Sequence, residues 1–188
     1  MIARRIGIVL LLAAAWPSLA AVPAPRAYFG HEIGADRTVL DWDKVAGYFQ
    51  ELAKSSDRIR VEELGKSTEG RPFIAATIAD PETLRHLDRY IEIQQKLADP
   101  RKTSTAEAEK FFLEGKAVVL ITCSIHATEI ASTHTAVEFA YRLLTEDKPR
   151  FRAILRNTIF LLVPSLNPDG VDIVTRWYRK TLWLRCPH

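Results

Sequence analysis

The sequence has 188 residues, of which 47% are hydrophobic, and its formal net charge is +3 at pH 7. Two of the positive charges, Arg4 and Arg5, lie within the first 20 residues, so residues 21–188 carry a net charge of only +1. A charge so close to neutral gives no electrostatic reason to expect a nucleic acid or an anionic membrane surface as a partner. The remaining length is enough for one globular domain with a hydrophobic core.

Residues 1–20 have the organisation of a signal peptide. Arg4 and Arg5 form a short positive region, and an apolar stretch follows at residues 6–16. Ser18-Leu19-Ala20 then supplies small residues for cleavage. The apolar stretch is too short to span a bilayer comfortably, so a cleaved signal peptide is favoured over a membrane anchor. We therefore predict a protein that is secreted or periplasmic and is not held in a membrane.

The first half of the remaining chain predicts an arm, a helix and a hairpin. Residues 21–37 contain Pro and Gly and predict an extended N-terminal arm. A helix is predicted at residues 41–54, because apolar residues recur there at spacings of three and four. These residues are Trp42, Val45, Phe49 and Leu52. Strands are predicted at residues 58–64 and 73–79, and the turn-forming residues between them indicate a hairpin.

The second half predicts an alternation of helices and strands. One helix begins after Asp80, which is suited to the N-cap, with Pro81 at its first position, and it continues to about residue 97. Further helices are predicted at residues 106–114, 128–146 and 149–156. Strands are predicted at residues 117–122 and 158–163, where each continuous apolar run is typical of a strand buried on both faces.

These elements predict an α/β fold in which a mixed β-sheet is flanked by helices. The order of strand, helix and strand over residues 117–163 predicts a parallel pair with a right-handed crossover. The antiparallel hairpin beside this pair makes the sheet mixed, and the helices cover its faces.

His126 and Glu129 are the strongest candidates for a chemical site. The strand at residues 117–122 brings His126 to its C-terminal end, and the helical pattern that follows places Glu129 on the same side one turn later. Imidazole and carboxylate are both zinc donors, and open α/β sheets place ligand sites beyond the carboxyl ends of their strands. From this motif alone, a polar pair that caps a helix is an equally good interpretation.

Two turn segments flank this pair in the sequence. They are Gly65-Lys66-Ser67-Thr68-Glu69-Gly70-Arg71 and Pro164-Ser165-Leu166-Asn167-Pro168-Asp169-Gly170. Taken alone, each contains residue types that turns require. In this order and spacing around His126-x-x-Glu129, the segments resemble those of the zinc carboxypeptidases of the carboxypeptidase A type. The resemblance extends over residues 41–180.

The resemblance implies both a site and a reaction. His126 and Glu129 match the family's first two zinc ligands, and Arg179 is similar to the arginine that steadies the oxyanion. A solvated surface arginine is the alternative for Arg179. The resemblance also implies Zn²⁺ as the cofactor and a peptide with a free C-terminus as the substrate. The zinc of this family polarises the scissile carbonyl and lowers the pKa of a bound water.

The sequence departs from the family beyond residue 180. The family's third zinc ligand, the Asn-Arg pair that grips the terminal carboxylate, and its general-base Glu have no match. We therefore interpret residues 38–180 as the N-terminal part of a zinc carboxypeptidase domain with an incomplete fold and an exposed apolar sheet edge. Residues 181–188 are interpreted as an aberrant tail. His134 lies on the apolar face of its helix and is interpreted as a hydrogen-bonded core or near-site histidine instead of a replacement ligand.

Three functions remain open from the sequence. The first is a zinc-dependent metallocarboxypeptidase present as a truncated fragment, for which we expect weak zinc binding and no peptide hydrolysis at an enzymatic rate. The second is an inactive remnant with weak zinc binding. The third is a zinc-dependent amidase or deacylase that uses the same scaffold on small acylated amines.

Overall fold

One four-stranded sheet organises the described part of the chain. The computed structural model describes residues 21–185, so the predicted signal peptide and the last three residues of the predicted tail lie outside the described residues. The strands are β1 (Ile59–Lys66), β2 (Pro72–Ile78), β3 (Ala117–Thr122) and β4 (Thr158–Val163). Their order across the sheet is β1-β2-β4-β3.

The strand pairing confirms the predicted mixed sheet. β1 and β2 form the antiparallel hairpin, and β2 pairs with β4 in the same antiparallel sense. β3 and β4 are parallel, with Ala117 opposite Thr158 and Thr122 opposite Val163. A helix between two parallel neighbours is the crossover that the sequence predicts.

Eight helices accompany the sheet within the described residues. They are α1 (Pro25–Phe29), α2 (Trp42–Ser55), α3 (Pro81–Arg85), α4 (Leu87–Ala98), α5 (Thr105–Glu114), α6 (Ile130–Thr145), α7 (Pro149–Asn157) and α8 (Pro168–Arg185). Over residues 21–185, no helix combines the length and the apolar character needed to cross a bilayer.

The main core lies between α2, α6 and one face of the sheet. The predicted face of α2 is confirmed, because Trp42, Val45, Phe49 and Leu52 are all fully buried. This face packs with side chains of β2, β4 and α6, among them Ile78, Leu162 and Val137. Full burial of a side chain such as Leu52 stabilises the fold by about 1.5–3 kcal/mol.

β4 is the strand that is buried on both faces, as predicted. Its Phe160 and Leu162 belong to the main core, whereas Ile159 packs on the other face against Leu84 of α3. Successive side chains of a strand point to opposite faces, so this division follows directly from the alternation.

β3 does not have the burial that the sequence predicts. It lies at the edge of the sheet, and Val118, Val119 and Leu120 have exposed fractions of 41%, 38% and 63%. An apolar run identifies a strand, but its burial depends on neighbouring elements that the run does not specify. The expected apolar sheet edge is therefore formed by β3.

The N-terminal arm and the helix after residue 80 also differ from their predictions. The arm is not extended throughout, because Pro25 is suited to the first turn of a helix and Gly30 supplies a left-handed C-cap at φ 83°. The single helix predicted up to residue 97 is interrupted at His86, whose φ of −107° and ψ of 26° are not helical.

The predicted turn at residues 167–170 is in fact the start of α8. Pro168 is its first residue, and the backbone N–H of Gly170 donates to Oδ1 of Asn167 at 2.8 Å, which is an N-cap hydrogen bond. The helix then continues to Arg185 and so includes the first five residues of the predicted tail.

Arg71, at the end of the β1–β2 turn, joins that turn to α8. Its Nε lies 2.6 Å from Oδ2 of Asp172, and its Nη1 lies 2.7 Å from Oδ1 of Asp169. All three side chains are no more than 16% exposed, so solvent screens these ion pairs only weakly. We call this group of Arg71, Asp169 and Asp172 the Arg71 bridge.

Both carboxylates of the Arg71 bridge have additional partners. Asp169 accepts hydrogen bonds from Oγ of Ser67 at 2.6 Å and from the backbone N–H of Glu69 at 3.1 Å. Partial burial by itself raises the pKa of Asp169, but the bonds from Ser67, Arg71 and Glu69 outweigh this effect and hold the pKa below its usual value. Asp172 accepts from the backbone N–H of Trp42 at 2.8 Å and so satisfies a donor at the start of α2.

Replacing Arg71 by Met should lower the free energy of unfolding by about 2–4 kcal/mol, because two poorly exposed carboxylates would lose their counter-ion. Urea unfolding at neutral pH measures this change. Arg85→Met is the matched control, since the Arg85–Glu82 pair is more than 60% exposed, and it should cost much less stability than Arg71→Met. Equal costs for the two variants would contradict the structural role of the Arg71 bridge.

Candidate metal site at the carboxyl end of the third strand

The loop between β3 and α6 is held in place by Ser124. Its backbone has a φ of 48°, which is uncommon for a residue other than glycine. The buried hydroxyl lies 2.8 Å from the carbonyl of Glu129 and 2.7 Å from Oγ1 of Thr133, and the Ser124 N–H donates to Oγ of Ser132 at 2.9 Å. These bonds fix the start of α6 relative to the end of β3. No sequence pattern indicates this role for Ser124.

The structure brings the two predicted zinc ligands together on this loop. Nδ1 of His126 lies 2.8 Å from Oε1 of Glu129, and the backbone N–H of His126 donates to Oε2 of the same carboxylate at 3.2 Å. The backbone N–H of Glu129 donates to the carbonyl of His126 at 3.1 Å, which closes one turn between the two residues. Both side chains are open to solvent, with exposed fractions of 75% and 46%.

The contact with His126 keeps Glu129 in its charged form. The hydrogen bond from the His126 ring, and then the bond from the His126 backbone N–H, hold the pKa of the Glu129 carboxyl below its usual value. An ionised carboxylate beside an imidazole nitrogen is a donor set that suits zinc.

The geometry of the pair fits two ligands of one zinc ion. Zinc–nitrogen and zinc–oxygen bonds in a tetrahedral site place two donor atoms about 3.4 Å apart. The two donor atoms here are 2.8 Å apart, so small side-chain rotations that increase this distance by about 0.6 Å would bring it to the zinc value. Across residues 21–185, no group of three or more His, Cys, Asp and Glu side chains is arranged as a metal site. Zinc ligation by His126 and Glu129 therefore stays a prediction.

A cavity of about 470 Å³ opens beside the pair, and Cys123, Ile125, Glu129 and Leu166 contribute to its lining. Burial raises the pKa of the Cys123 thiol and so disfavours the thiolate, the form that binds metals and acts as a nucleophile. In the structure Cys123 contributes a small, largely apolar wall to the cavity.

The start of α8 supports the loop from the other side. Nδ2 of Asn167 donates to the carbonyl of Ile125 at 3.3 Å. A Cβ atom on Gly170 would lie 2.9 Å from Cβ of Ala127, so only glycine allows this close approach. Asn167 and Gly170 are thus the means by which α8 contacts the His126 loop.

The guanidinium of Arg179 lies against the segment before α2. Its Nη1 lies 2.7 Å from Oδ1 of Asp41, and its Nη2 donates to the carbonyl of Val39 at 2.9 Å. Arg179 follows Pro168 by 11 positions in α8, which is about 16 Å along the helix axis. The oxyanion role of Arg179 stays a prediction.

His134 has the structural role that the sequence indicates. Its Nε2 accepts a hydrogen bond from the backbone N–H of Leu40 at 3.1 Å, across 94 positions of the chain. Burial, with a smaller contribution from the charge of His31, lowers the pKa of His134 below its usual value of 6.5. The neutral ring is the form that can accept this bond.

The low pKa of His134 predicts a loss of stability in mild acid. The unfolded chain takes up the proton near pH 6.5, whereas the folded chain takes it up only at lower pH. The contribution of His134 is therefore fully present above about pH 6.5 and is lost as the pH falls through the folded-state pKa. Urea unfolding at several pH values between about 7 and 5 measures this effect. The free energy of unfolding should fall less steeply with decreasing pH in His134→Gln, because the amide oxygen of Gln accepts the bond without titrating.

If His134→Gln and the unmodified chain lose stability in parallel as the pH falls, the assignment of a neutral, half-buried ring to His134 is wrong.

Comparison with known proteins places these features in a family. A sequence model of the family described as zinc carboxypeptidase matches residues 45–188. Cytosolic carboxypeptidase-like protein 5 of Danio rerio is 35% identical over 68 residues, which are 36% of this chain and 8% of that protein. The inactive metallocarboxypeptidase ecm14 of Talaromyces marneffei is 36% identical over 72 residues, which are 37% of this chain and 12% of that protein.

The fold is similar to that of a solved structure. The crystal structure of thrombin activatable fibrinolysis inhibitor superposes with a TM-score of 0.55 at 15% identity, over 86% of this chain and 32% of that chain. The present chain thus spans about a third of that structure and about a tenth of the curated relatives. Because the family's sequence model covers most of its length and its sheet and helices have the expected arrangement, the chain belongs to the zinc carboxypeptidase family.

Proposed function

We propose that this chain provides the first two zinc donors, His126 and Glu129, of a metallocarboxypeptidase that removes residues from the free C-terminus of peptides. The observation that carries the proposal is the convergence of the two donor atoms, 2.8 Å apart, beyond the carboxyl end of β3. The family to which the chain belongs supplies the reaction class. Because the chain spans only a small share of its relatives, substrate and activity remain proposals.

Each group around the pair would have a definite task in this function. His126 would bind the metal through Nδ1, the atom that now lies against Glu129, and Glu129 would bind it as a carboxylate. The bonds of Ser124 to the start of α6 would keep both donors in register, which limits the reorganisation needed on binding. When bound, zinc supplies a Lewis acid that polarises a carbonyl and acidifies water.

The cavity beside the pair would be the place for substrate next to the metal. Its walls include Ile125 and Leu166, whose exposed fractions of 58% and 37% leave apolar surface available to a ligand. Arg179 has no part in the proposal, because its guanidinium is engaged with Asp41.

A non-catalytic zinc-binding protein is the second candidate. One relative carries the name of an inactive metallocarboxypeptidase, so membership of this family and catalysis are separable. Hydrolysis of a blocked dipeptide with a free carboxylate, lost in Glu129→Gln and absent with the amidated dipeptide, would establish the carboxypeptidase. Zinc binding without any such hydrolysis is the result that we expect of the present chain, because the family's third zinc ligand and general-base Glu have no match in it, and the second candidate predicts the same result.

Removal of either donor should weaken zinc binding by at least about tenfold, since even outer-shell partners of metal ligands contribute factors of 10–100. Isothermal titration calorimetry of the full chain, His126→Ala and Glu129→Gln with Zn²⁺ at neutral pH measures this effect.

His86→Ala is the matched control. His86 also contacts a glutamate, with Nε2 2.9 Å from Oε1 of Glu82, but Arg85 pairs with the same carboxylate and repels a cation. The affinity of this variant should equal that of the unmodified chain. A loss of zinc affinity in His86→Ala, with none in His126→Ala, would show that zinc binds at His86 and Glu82 and would refute the proposal.

A further inference from the structure

A cavity of about 370 Å³ lies at the other end of the sheet from His126 and Glu129. Its lining is formed by Arg58, Asp80, Arg152, Leu155 and Arg156. Arg156 precedes the first residue of β4, whereas the candidate metal site follows the last residue of β3. Six residues of extended strand separate these two ends by roughly 20 Å, so the cavity is distinct from the metal site.

Two of the three arginines have guanidinium groups with unused donors. Nη1 of Arg58 donates to the carbonyl of Leu144 at 3.2 Å, and Nε of Arg156 makes a long bond of 3.4 Å to the carbonyl of Arg152. Within residues 21–185, neither Arg58 nor Arg156 forms an ion pair with a carboxylate. Each guanidinium has five N–H donors, so most of those on Arg58 and Arg156 are available to a ligand.

The charge of the cavity is positive after its internal pairs are counted. Arg152 is paired with Asp147 outside the lining. Asp80 is the remaining carboxylate, and one of its oxygens accepts the backbone N–H of Glu82 at 3.0 Å as the N-cap of α3. Arg58 and Arg156 therefore exceed Asp80 by one positive charge. An adjoining cleft shares Asp80 and Arg156 and adds the cation of Lys116 and the carboxylate of Glu82, so it leaves this balance unchanged.

We propose that this cavity binds a phosphate-type oxyanion, either inorganic phosphate or the phosphate group of a small monoester. Arg58 precedes β1 and Arg156 lies near the end of α7, so two separate elements present planar donor groups to one space. The fork of a guanidinium matches an oxyanion in bidentate geometry, and pairs of this kind are stronger than neutral hydrogen bonds. The volume of the cavity exceeds that of a single phosphate, which leaves room for a small ester group.

Asp80 provides a sensitive probe of this site. Its carboxylate repels an oxyanion, but its structural task is to accept the N–H of Glu82, which Asn performs equally well at an N-cap. Asp80→Asn should therefore tighten phosphate binding without loosening α3. Arg156→Gln should weaken the same binding by at least about tenfold, because it removes charge-assisted hydrogen bonds, which are stronger than those between neutral groups.

The experiment is calorimetric titration of the full chain with inorganic phosphate, at an ionic strength held constant with chloride. Arg156→Gln, Arg58→Gln and Asp80→Asn are compared with Arg101→Gln, whose side chain is 86% exposed and paired with Asp99 elsewhere on the surface. Arg156 is exposed, so Arg156→Gln should leave the fold intact. This variant keeps the test decisive even if Arg58→Gln, which removes the hydrogen bond to Leu144, disturbs the fold. Glycerol phosphate is titrated in parallel.

Weaker binding in the two cavity variants, tighter binding in Asp80→Asn and no change in Arg101→Gln would support the site. Tighter binding of glycerol phosphate than of phosphate would identify a monoester as the ligand, and the reverse order would identify the free ion. Binding no stronger than that of chloride, or equal affinities in Arg156→Gln and the unmodified chain, would overturn the proposal. These outcomes are independent of whether His126 binds zinc.

Discussion

The rest of the structure depends on the ion pairs of Arg71 with Asp169 and Asp172. These residues are far apart in sequence, yet they join the β1–β2 turn, the first turn of α8 and, through the N–H of Trp42, the start of α2. Such pairs stabilise a fold only when each charge has its partner, because an unpaired charge with little exposure costs several kcal/mol. By fixing the start of α8, the bridge also fixes Asn167 and Gly170 against the loop that carries His126. Ion pairs of the hairpin turn thereby help to position the candidate metal site.

Those parts of the fold that rest on local periodicity are predictable from the sequence. The apolar face of α2 is an example, since spacings of three and four determine which side chains of a helix share a face. The hairpin and β4 are equally clear. The position of a strand within the sheet is harder to predict, because β3 and β4 are similar apolar runs. Only their neighbours make β3 an edge strand and β4 a central one. The start of α8 has residue types that suit both a turn and an N-cap, and its continuation as a helix decides between the two.

The candidate site shows the same division between local and distant contacts. His126 and Glu129 are three positions apart, so their approach requires only one turn of chain and can be inferred from spacing. Ser124 acts through a left-handed backbone and buried hydroxyl contacts, which a single serine in a sequence does not indicate.

Arg179 is 138 positions from Asp41, its ion-pair partner, and no local pattern predicts that pairing. Two basic residues on different elements, Arg58 and Arg156, likewise meet only in the folded chain.

The central claim is that His126 and Glu129 hold zinc at the carboxyl end of β3. Zinc K-edge X-ray absorption of the full chain with one equivalent of metal tests it most directly. The account predicts nitrogen and oxygen neighbours at about 2.0–2.2 Å, with imidazole outer-shell scattering that disappears in His126→Ala. A sulfur neighbour at about 2.3 Å, which would implicate a cysteine thiol, or a spectrum unchanged by His126→Ala, would contradict it.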